Sequence, residues 1–368
     1  MRINLQREML LKPLQMVIGV VERKQTIPIL SNVLLNIKDN KLSFTGTDTE
    51  IELIAHVDKD EIDPLVVLTL PGRKLLDICR ALPENAPIEL YQEKEKVILS
   101  SGRSRFMLST LPAKDFPNIE THNAYFSFTI EQQQLKQLLQ RTYFAMAQAD
   151  VRYYLNGMLF ELQDNQLRTV ATDGHRLAFN MTHISSAAPE KMQVIIPRKG
   201  ILELLRLLED HDREIGITLS NGHIHVITDN FMFTSKLIEG RYPNYDRVIP
   251  RNGNKSILID RDTLKQSLSR SAILSNEKFR GVRLELGSNQ IKITTNNPEQ
   301  ECAEEEIHVE YSDEILDIGF NINYLLDVLN IVKPGLVKLT FKDSDSSVVI
   351  EEVENEWFSV FVIMPMRL

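Results

Sequence analysis

The chain has 368 residues, 43% hydrophobic and 25% charged, with a formal net charge of −9 and two cysteines, Cys79 and Cys302. That length suits two or three domains. No apolar run approaches the ~18 residues of a membrane-spanning helix, and the opening MRINLQREMLLKPL mixes charge too closely with apolar residues for an export signal, so a cytoplasmic protein without disulfides is expected. The charge excludes a chain that is basic all over, but not one whose basic residues gather on one face.

In chain order, INLQREMLLKPLQMVIGV from Ile3 predicts a short alternating strand and then a helix over 6–24, with Gln6 at its start. SNVLLNI from Ser31 and LSFTGTDTEIEL around Thr47-Asp48 read as strands, and LPGRKLLDICRAL predicts a second helix over 71–82 opened by Pro71. A strand around Phe106 leads into the linker AKDFPN, ending at Asn118. The same order then starts again. FTIEQQQLKQLLQRTYFAM from Phe128 predicts a helix over 131–147, NGMLFEL from Asn156 and the stretch around Thr172-Asp173 read as strands, and IPRKGILELLRLLED predicts a helix over 197–209 opened by Pro197. EIGITLSNGHIHVIT carries a hairpin signal at Asn221-Gly222, and a strand around Phe233 runs into EGRYPN, ending at Asn244. A third round brings ILIDRDTLKQSLSRSAIL (helix 261–274, with Asp262 in its first turn), GVRLEL from Gly281, a turn at Asn296-Asn297, FNINYLLDVLNIVK (helix 321–333) and a strand around Phe361 that ends in VIMPMRL.

Thr47-Asp48 and Thr172-Asp173 lie 125 residues apart, and Asn296-Asn297 lies 124 further on. A period of that length is a whole domain and not a solenoid unit of ~20–50 residues. Three similar α+β domains follow, at 1–126, 127–254 and 255–368, each with two helices and antiparallel sheets. The six predicted helices hold sixteen Lys and Arg against eight Asp and Glu, a net of +8, which leaves −17 for the strands and loops. Helices gathered on one side would offer phosphates a positive surface that does not read bases; scattered, the same charges are ordinary solvated faces.

DVRYYLNGMLFE from Asp150, RTVATDGHRLA from Arg168, ILSNEKFRGVRL from Ile273, NNPEQE from Asn296 and the terminal MPMRL together resemble the bacterial DNA polymerase III beta subunit, the processivity sliding clamp, over the whole chain. The resemblance implies a DNA clamp fold: two chains of three domains closed head to tail into a six-domain ring around duplex DNA, helices inside and sheets outside. It also implies no enzymatic activity and no cofactor, with partners that are DNA without sequence preference, a second copy of the chain, and the short peptides by which the replicative polymerase, the clamp loader, other polymerases and repair proteins dock. DNA-facing positions would be Arg7, Lys12, Arg73, Arg80, Lys136, Arg141, Arg198, Lys199, Arg206, Lys265, Arg270 and Lys333, with Lys24, Tyr153 and Tyr154 in loops. Lys24 stands where the family often has arginine and Ala149 where it commonly has glutamine. The peptide pocket would comprise Leu155, Thr172, Gly174, His175, Arg176, Leu177, Pro243, Arg247, Val248, Ser347, Val362, Met364, Pro365 and Met366; unbranched Met suits a groove with several partners, although apolar residues at a chain end also simply pack. The ring interface would set Lys74, Ile78, Arg103, Phe106 and Leu108 against Ile273, Leu274, Glu299, Glu301 and Glu304, the last three alternatively a charge-guarded strand edge.

Two other readings stand beside this one. Asp173 beside His175, with His223 and His225 sharing a strand face, could form a metal-dependent hydrolase, against which Asp-Gly reads as a turn and no third ligand lies nearby. A monomeric three-domain scaffold that binds peptides is the other. No P-loop and no Cys-x-x-Cys pair occurs, so no catalytic residue, metal or cofactor is expected.

Overall fold

The computed structural model of the chain describes residues 2–21, 27–38, 40–58, 66–119, 123–353 and 358–367. One element order occurs three times. The first round is β1 (Arg2–Gln6), α1 (Arg7–Val17), β2 (Asn32–Lys38), β3 (Lys41–Thr47), β4 (Ile51–Asp58), β5 (Val66–Pro71), α2 (Gly72–Ala81), β6 (Pro87–Glu93), β7 (Lys96–Ser101) and β8 (Ser104–Ser109). The second is β9 (Ala124–Glu131), α3 (Gln132–Thr142), β10 (Gly157–Gln163), β11 (Gln166–Thr172), β12 (Arg176–His183), β13 (Met192–Pro197), α4 (Arg198–Leu207), β14 (Glu214–Ser220), β15 (His223–Ile227) and β16 (Phe231–Lys236). The third is β17 (Lys255–Asp260), α5 (Arg261–Ser271), β18 (Gly281–Gly287), β19 (Gln290–Asn296), β20 (Cys302–His308), β21 (Leu316–Asn321), α6 (Ile322–Ile331), β22 (Leu336–Phe341), β23 (Val348–Glu352) and β24 (Phe358–Ile363).

Apolar spacing explains the elements. In α1, Leu10, Pro13, Leu14 and Val17 are buried, and in α5 Leu264, Ser267, Leu268 and Ser271, both at i, i+3, i+4 and i+7. Strands such as β18 bury every second side chain, Val282, Leu284 and Leu286. Asp260 caps α5 by accepting the Thr263 N–H at 2.8 Å, and Asn321 caps α6 through the Asn323 N–H at 3.0 Å.

The helices are shorter than their apolar pattern predicts. Buried Val20 and Val21 continue the pattern of α1 beyond Val17, but as a turn. Gly19 passes so close to the α4 side chains that an added Cβ would lie 2.3 Å from Glu203 Oε2. In α3, Thr142 turns its hydroxyl back onto Leu138 O at 2.8 Å, and a short 3₁₀ turn at Tyr143–Ala145 follows. Pro71 and Pro197 end strands β5 and β13 and immediately precede their helices, where the sequence suggested they would open them.

The chain divides into two compact units, Met1–Gln132 with Leu202–Leu237, and Gln133–Ile201 with Ile238–Leu368. The first holds a four-stranded sheet, β1-β6-β7-β8, and an eight-stranded sheet, β5-β2-β3-β4-β16-β15-β14-β9. The second holds β20-β19-β18-β21 and β13-β10-β11-β12-β24-β23-β22-β17. Each long sheet therefore fuses four strands of one round to four of the next, at β4–β16 and at β12–β24. Strands β8 and β20 end their sheets unpaired among the described residues.

Candidate functional sites

Thr172 and Asp173 close the turn between β11 and β12. Thr172 Oγ1 donates to Arg176 O at 2.6 Å, and Asp173 Oδ1 accepts the N–H groups of His175 and Arg176 at 2.9 and 3.0 Å. Thr47 and Asp48 do the same in the first round, Thr47 Oγ1 donating to Ile51 O at 2.8 Å and Asp48 Oδ1 accepting from Glu50 and Ile51 at 2.9 and 2.7 Å. The repeated Thr-Asp pair is thus a turn clasp. Gly174 holds φ +91°, and a Cβ there would meet the Arg152 guanidinium at 3.0 Å.

Around this turn the second unit gathers many of the expected pocket residues. Leu177 pairs with Val362 across β12–β24. Leu155, Leu177 and Val362 are buried in one cluster with Tyr242, Tyr245 and Val349, and Val248 packs against it. The Met364 N–H donates to His175 O at 2.9 Å and the Met366 N–H to Gly319 O at 2.8 Å, so the tail is strapped beside the turn. Met364, Pro365, Met366, Ser347, Thr172 and Gly174 are half-buried, while His175, Pro243 and Arg247 are exposed. Arg176 is committed elsewhere: it donates to Asp173, Asp327 and Phe144 O, and its guanidinium lies 4.4 Å from the Tyr324 ring centre. Sequence reading missed Tyr242, whose hydroxyl accepts the Thr172 N–H at 3.1 Å and whose burial raises its pKa. The available signal was Phe116, its counterpart in the matching linker.

The equivalent place in the first unit is built differently. The ladders superpose in register, Phe233 opposite Leu53 and Phe361 opposite Ala178, so Glu52 opposite Thr234 stands where Leu177 opposite Val362 stands in the second unit. Glu52 is buried, its carboxylate accepts the Ile119 N–H at 3.1 Å, and burial raises its pKa. An apolar side chain placed there would strand that carboxylate.

The observed helices carry thirteen Lys and Arg against five Asp and Glu, still +8, with α6 alone acidic at −1 because Lys333 lies beyond its end. Most of the arginines are engaged. Arg7 donates to Cys79 O at 2.6 Å, over a thiol that burial pushes up to about 12. Arg73 donates to Val21 O at 2.7 Å, Arg198 to Met146 O at 3.1 Å, and Arg206 to the α1 carbonyls of Gln15 and Met16. Of these four, Arg7 is also paired with Glu8 at 2.9 Å and Arg206 with Glu203 at 2.8 Å. Arg270 is matched by Glu305 at 2.6 Å. Arg141 leaves the DNA-facing set: it is buried against buried Glu352 and Ser359, neutralised and out of reach of a phosphate. Lys12, Arg80 and Lys333 are exposed, and Lys136, Lys199 and Lys265 half-buried. Lys24 lies outside the described residues. Ala149 holds φ +56° in the loop before exposed Tyr153, which meets half-buried Tyr154 edge-on at 5.8 Å. In the same loop, Arg152 draws the Asp150 carboxyl down to about 2.

At the open edges, Leu108 of β8 is buried, Phe106 half-buried and Arg103 exposed, as is Lys74 on α2, where Ile78 is half-buried. On the other unit Ile273 is 77% exposed, a large apolar surface without cover. Leu274 beside it is half-buried, Glu299, Glu301 and Glu304 are exposed, and Glu304 takes Lys292 at 3.1 Å.

Nothing in the hydrolase reading finds support. The Asp173 carboxylate is occupied by its own turn and by Arg176. His225 bonds Ser220 at 3.1 Å and Thr234 at 3.0 Å, and it stacks on His223 with both rings buried. Among the described residues no group of three His, Cys, Asp or Glu is placed to hold a metal ion.

Family models of the DNA polymerase III beta subunit match the chain three times: the N-terminal domain over residues 1–120, the central domain over 129–244 and the C-terminal domain over 246–367. The chain belongs to the beta sliding clamp family. The beta sliding clamps of Pseudomonas aeruginosa and Escherichia coli K12 are 52% and 50% identical to it over 368 residues, covering all of both chains. The crystal structure of the DNA polymerase III subunit beta from P. aeruginosa matches with a TM-score of 0.97 at 51% identity, and that of Caulobacter crescentus with 0.94 at 36%, each covering the full length of both chains. A P. aeruginosa clamp structure bound to griselimycin matches with 0.96. The clamp is a DNA replication processivity factor and not an enzyme, and its fold is three mixed α/β clamp domains with antiparallel sheets. Among the described residues no helix of the clamp is long and apolar enough to cross a membrane.

Proposed function

We propose that two copies of this clamp close head to tail into a six-domain ring around duplex DNA, with domains at 1–126, 127–254 and 255–368, working in the cytoplasm. The observation that carries this is the pattern of sheet fusion. Two of three equivalent edge pairs are joined within the chain, at β4–β16 and β12–β24, and the third pair, β20 and β8, is open. Transferring the common register puts Phe106 of one copy opposite Ala303 of the other, Arg105 opposite Glu304 and Met107 opposite Cys302. A basic strand then meets an acidic one, in a head-to-tail contact that closes after two copies.

Helix charges make no base contacts, so nothing fixes the ring at one sequence, and phosphates are held by counterion release. The Leu177–Val362 pocket with its Met-rich strap takes the clamp-binding peptides of polymerases, clamp loader and repair proteins. The test is topological. Clamp loaded on circular DNA should remain bound and clamp on the same DNA linearised should run off, with a solution mass of twice 42.3 kDa. Equal retention on both, or a monomer mass, would sink the ring and favour a monomeric peptide-binding scaffold.

A further inference from the structure

The Leu177–Val362 pair is the first of three on one face of the β12–β24 ladder. Phe179 stands opposite Val360, and Met181 opposite Phe358; alternation along each strand puts all six side chains on the same side. Past the pocket this face opens on a cavity of about 380 Å³ walled by Phe179, Met181, Phe358, Val360 and Ile249. That is large enough for a ligand side chain, since ligand sites begin at ~300 Å³. Phe358 remains 56% exposed at its edge, touching Phe179 edge-on at 5.8 Å.

The walls of the cavity and of the pocket pack into one cluster. Phe179 and Val360 belong to the same buried cluster as Leu155, Leu177 and Val362, and Met181 and Ile249 pack against it. Two arginines and Asp246 stand at the rim of the cavity. Arg251 is 76% exposed and 3.9 Å from Asp246, while Arg168 is paired with buried Glu161 at 3.0 Å and keeps a buried Nε–H without a partner among the described residues.

We propose that this cavity extends the docking groove and receives an apolar or aromatic side chain followed by a carboxylate, from the segment that flanks the core of a partner peptide. The inference rests on the peptide reading of the Leu177–Val362 pocket. From Leu177 to Met181 the strand advances about 13 Å at ~3.3 Å per residue, so the flanking residue lies some four positions from the anchor.

The experiment uses full-length clamp and the ten-residue clamp-binding segment of the replicative polymerase. Two longer versions carry Phe-Asp-Asp four positions beyond the anchor, on the N-terminal or C-terminal side. Fluorescence polarisation should show one longer version binding at least about tenfold tighter than the short segment, about 1.4 kcal/mol. Phe358→Ser should abolish that gain while leaving the short segment's affinity unchanged. Arg251→Glu, at a more exposed position, should reduce the gain and provides a second variant if Phe358→Ser fails to fold. No gain from either extension, or a gain that survives both substitutions, overturns the inference. A short segment that fails to bind the unaltered clamp overturns the pocket reading itself, and this inference with it.

Discussion

Arg141 and Glu352 face each other in the interior of the second unit, each almost wholly buried, and Glu352 also accepts the Lys333 N–H at 2.7 Å. Removing Arg141 leaves the Glu352 carboxylate buried without its arginine, whereas removing both together costs little. Arg141→Ala should therefore lose about 3–5 kcal/mol of stability, and Arg141→Met combined with Glu352→Leu should recover most of it, both read from urea unfolding. A comparable loss in both proteins would show that packing, not charge, holds the site. The family resemblance placed Arg141 among the DNA-facing residues because it is a basic residue on a predicted helix. Its partner lies 211 residues away, a separation at which no local pattern informs. Glu52 was equally hidden: in LSFTGTDTEIEL it reads as the solvent side of a strand, and its burial follows from the linker folding over it at Ile119.

At the scale of elements, the strands and their turns were legible because alternation and the Thr-Asp clasp are local. Helix existence was legible too, but helix ends were not. They are set by groups that come from elsewhere in the fold, such as Arg206 on the α1 carbonyls, where sequence alone shows only that apolar residues continue. Strand pairing makes the sharpest prediction here. If β20 of one copy meets β8 of the next in the shared register, Arg105→Glu should set like charges opposite each other and convert the dimer to monomer in sedimentation at micromolar concentration. Glu304→Arg in the same chain should restore the dimer. A double variant that stays monomeric would mean the register is wrong.

For the whole molecule, the relevant quantity is the contrast between helices at +8 and a chain at −9. Counterion release makes affinity for DNA fall with salt by about 0.9 in log–log slope per phosphate neutralised. Lys12 and Arg80 are exposed, and Arg80 has no partner among the described residues. Lys12→Ala and Arg80→Ala should each lower the slope by roughly one and weaken binding equally on unrelated sequences. An unchanged slope would remove those residues from the DNA path. The sequence by itself determined the threefold repeat, the α+β class and the sign of the helix charge, since each is a sum over local pattern that survives errors of a few residues. Only the tertiary structure decided which arginines remain available, which sheet edges stay open among the described residues, and why one junction holds an apolar cluster while its twin holds a buried glutamate. Those depend on which distant side chain fills the space, and a single Glu-for-Leu difference gives an apolar cluster at one junction and a buried carboxylate at the other.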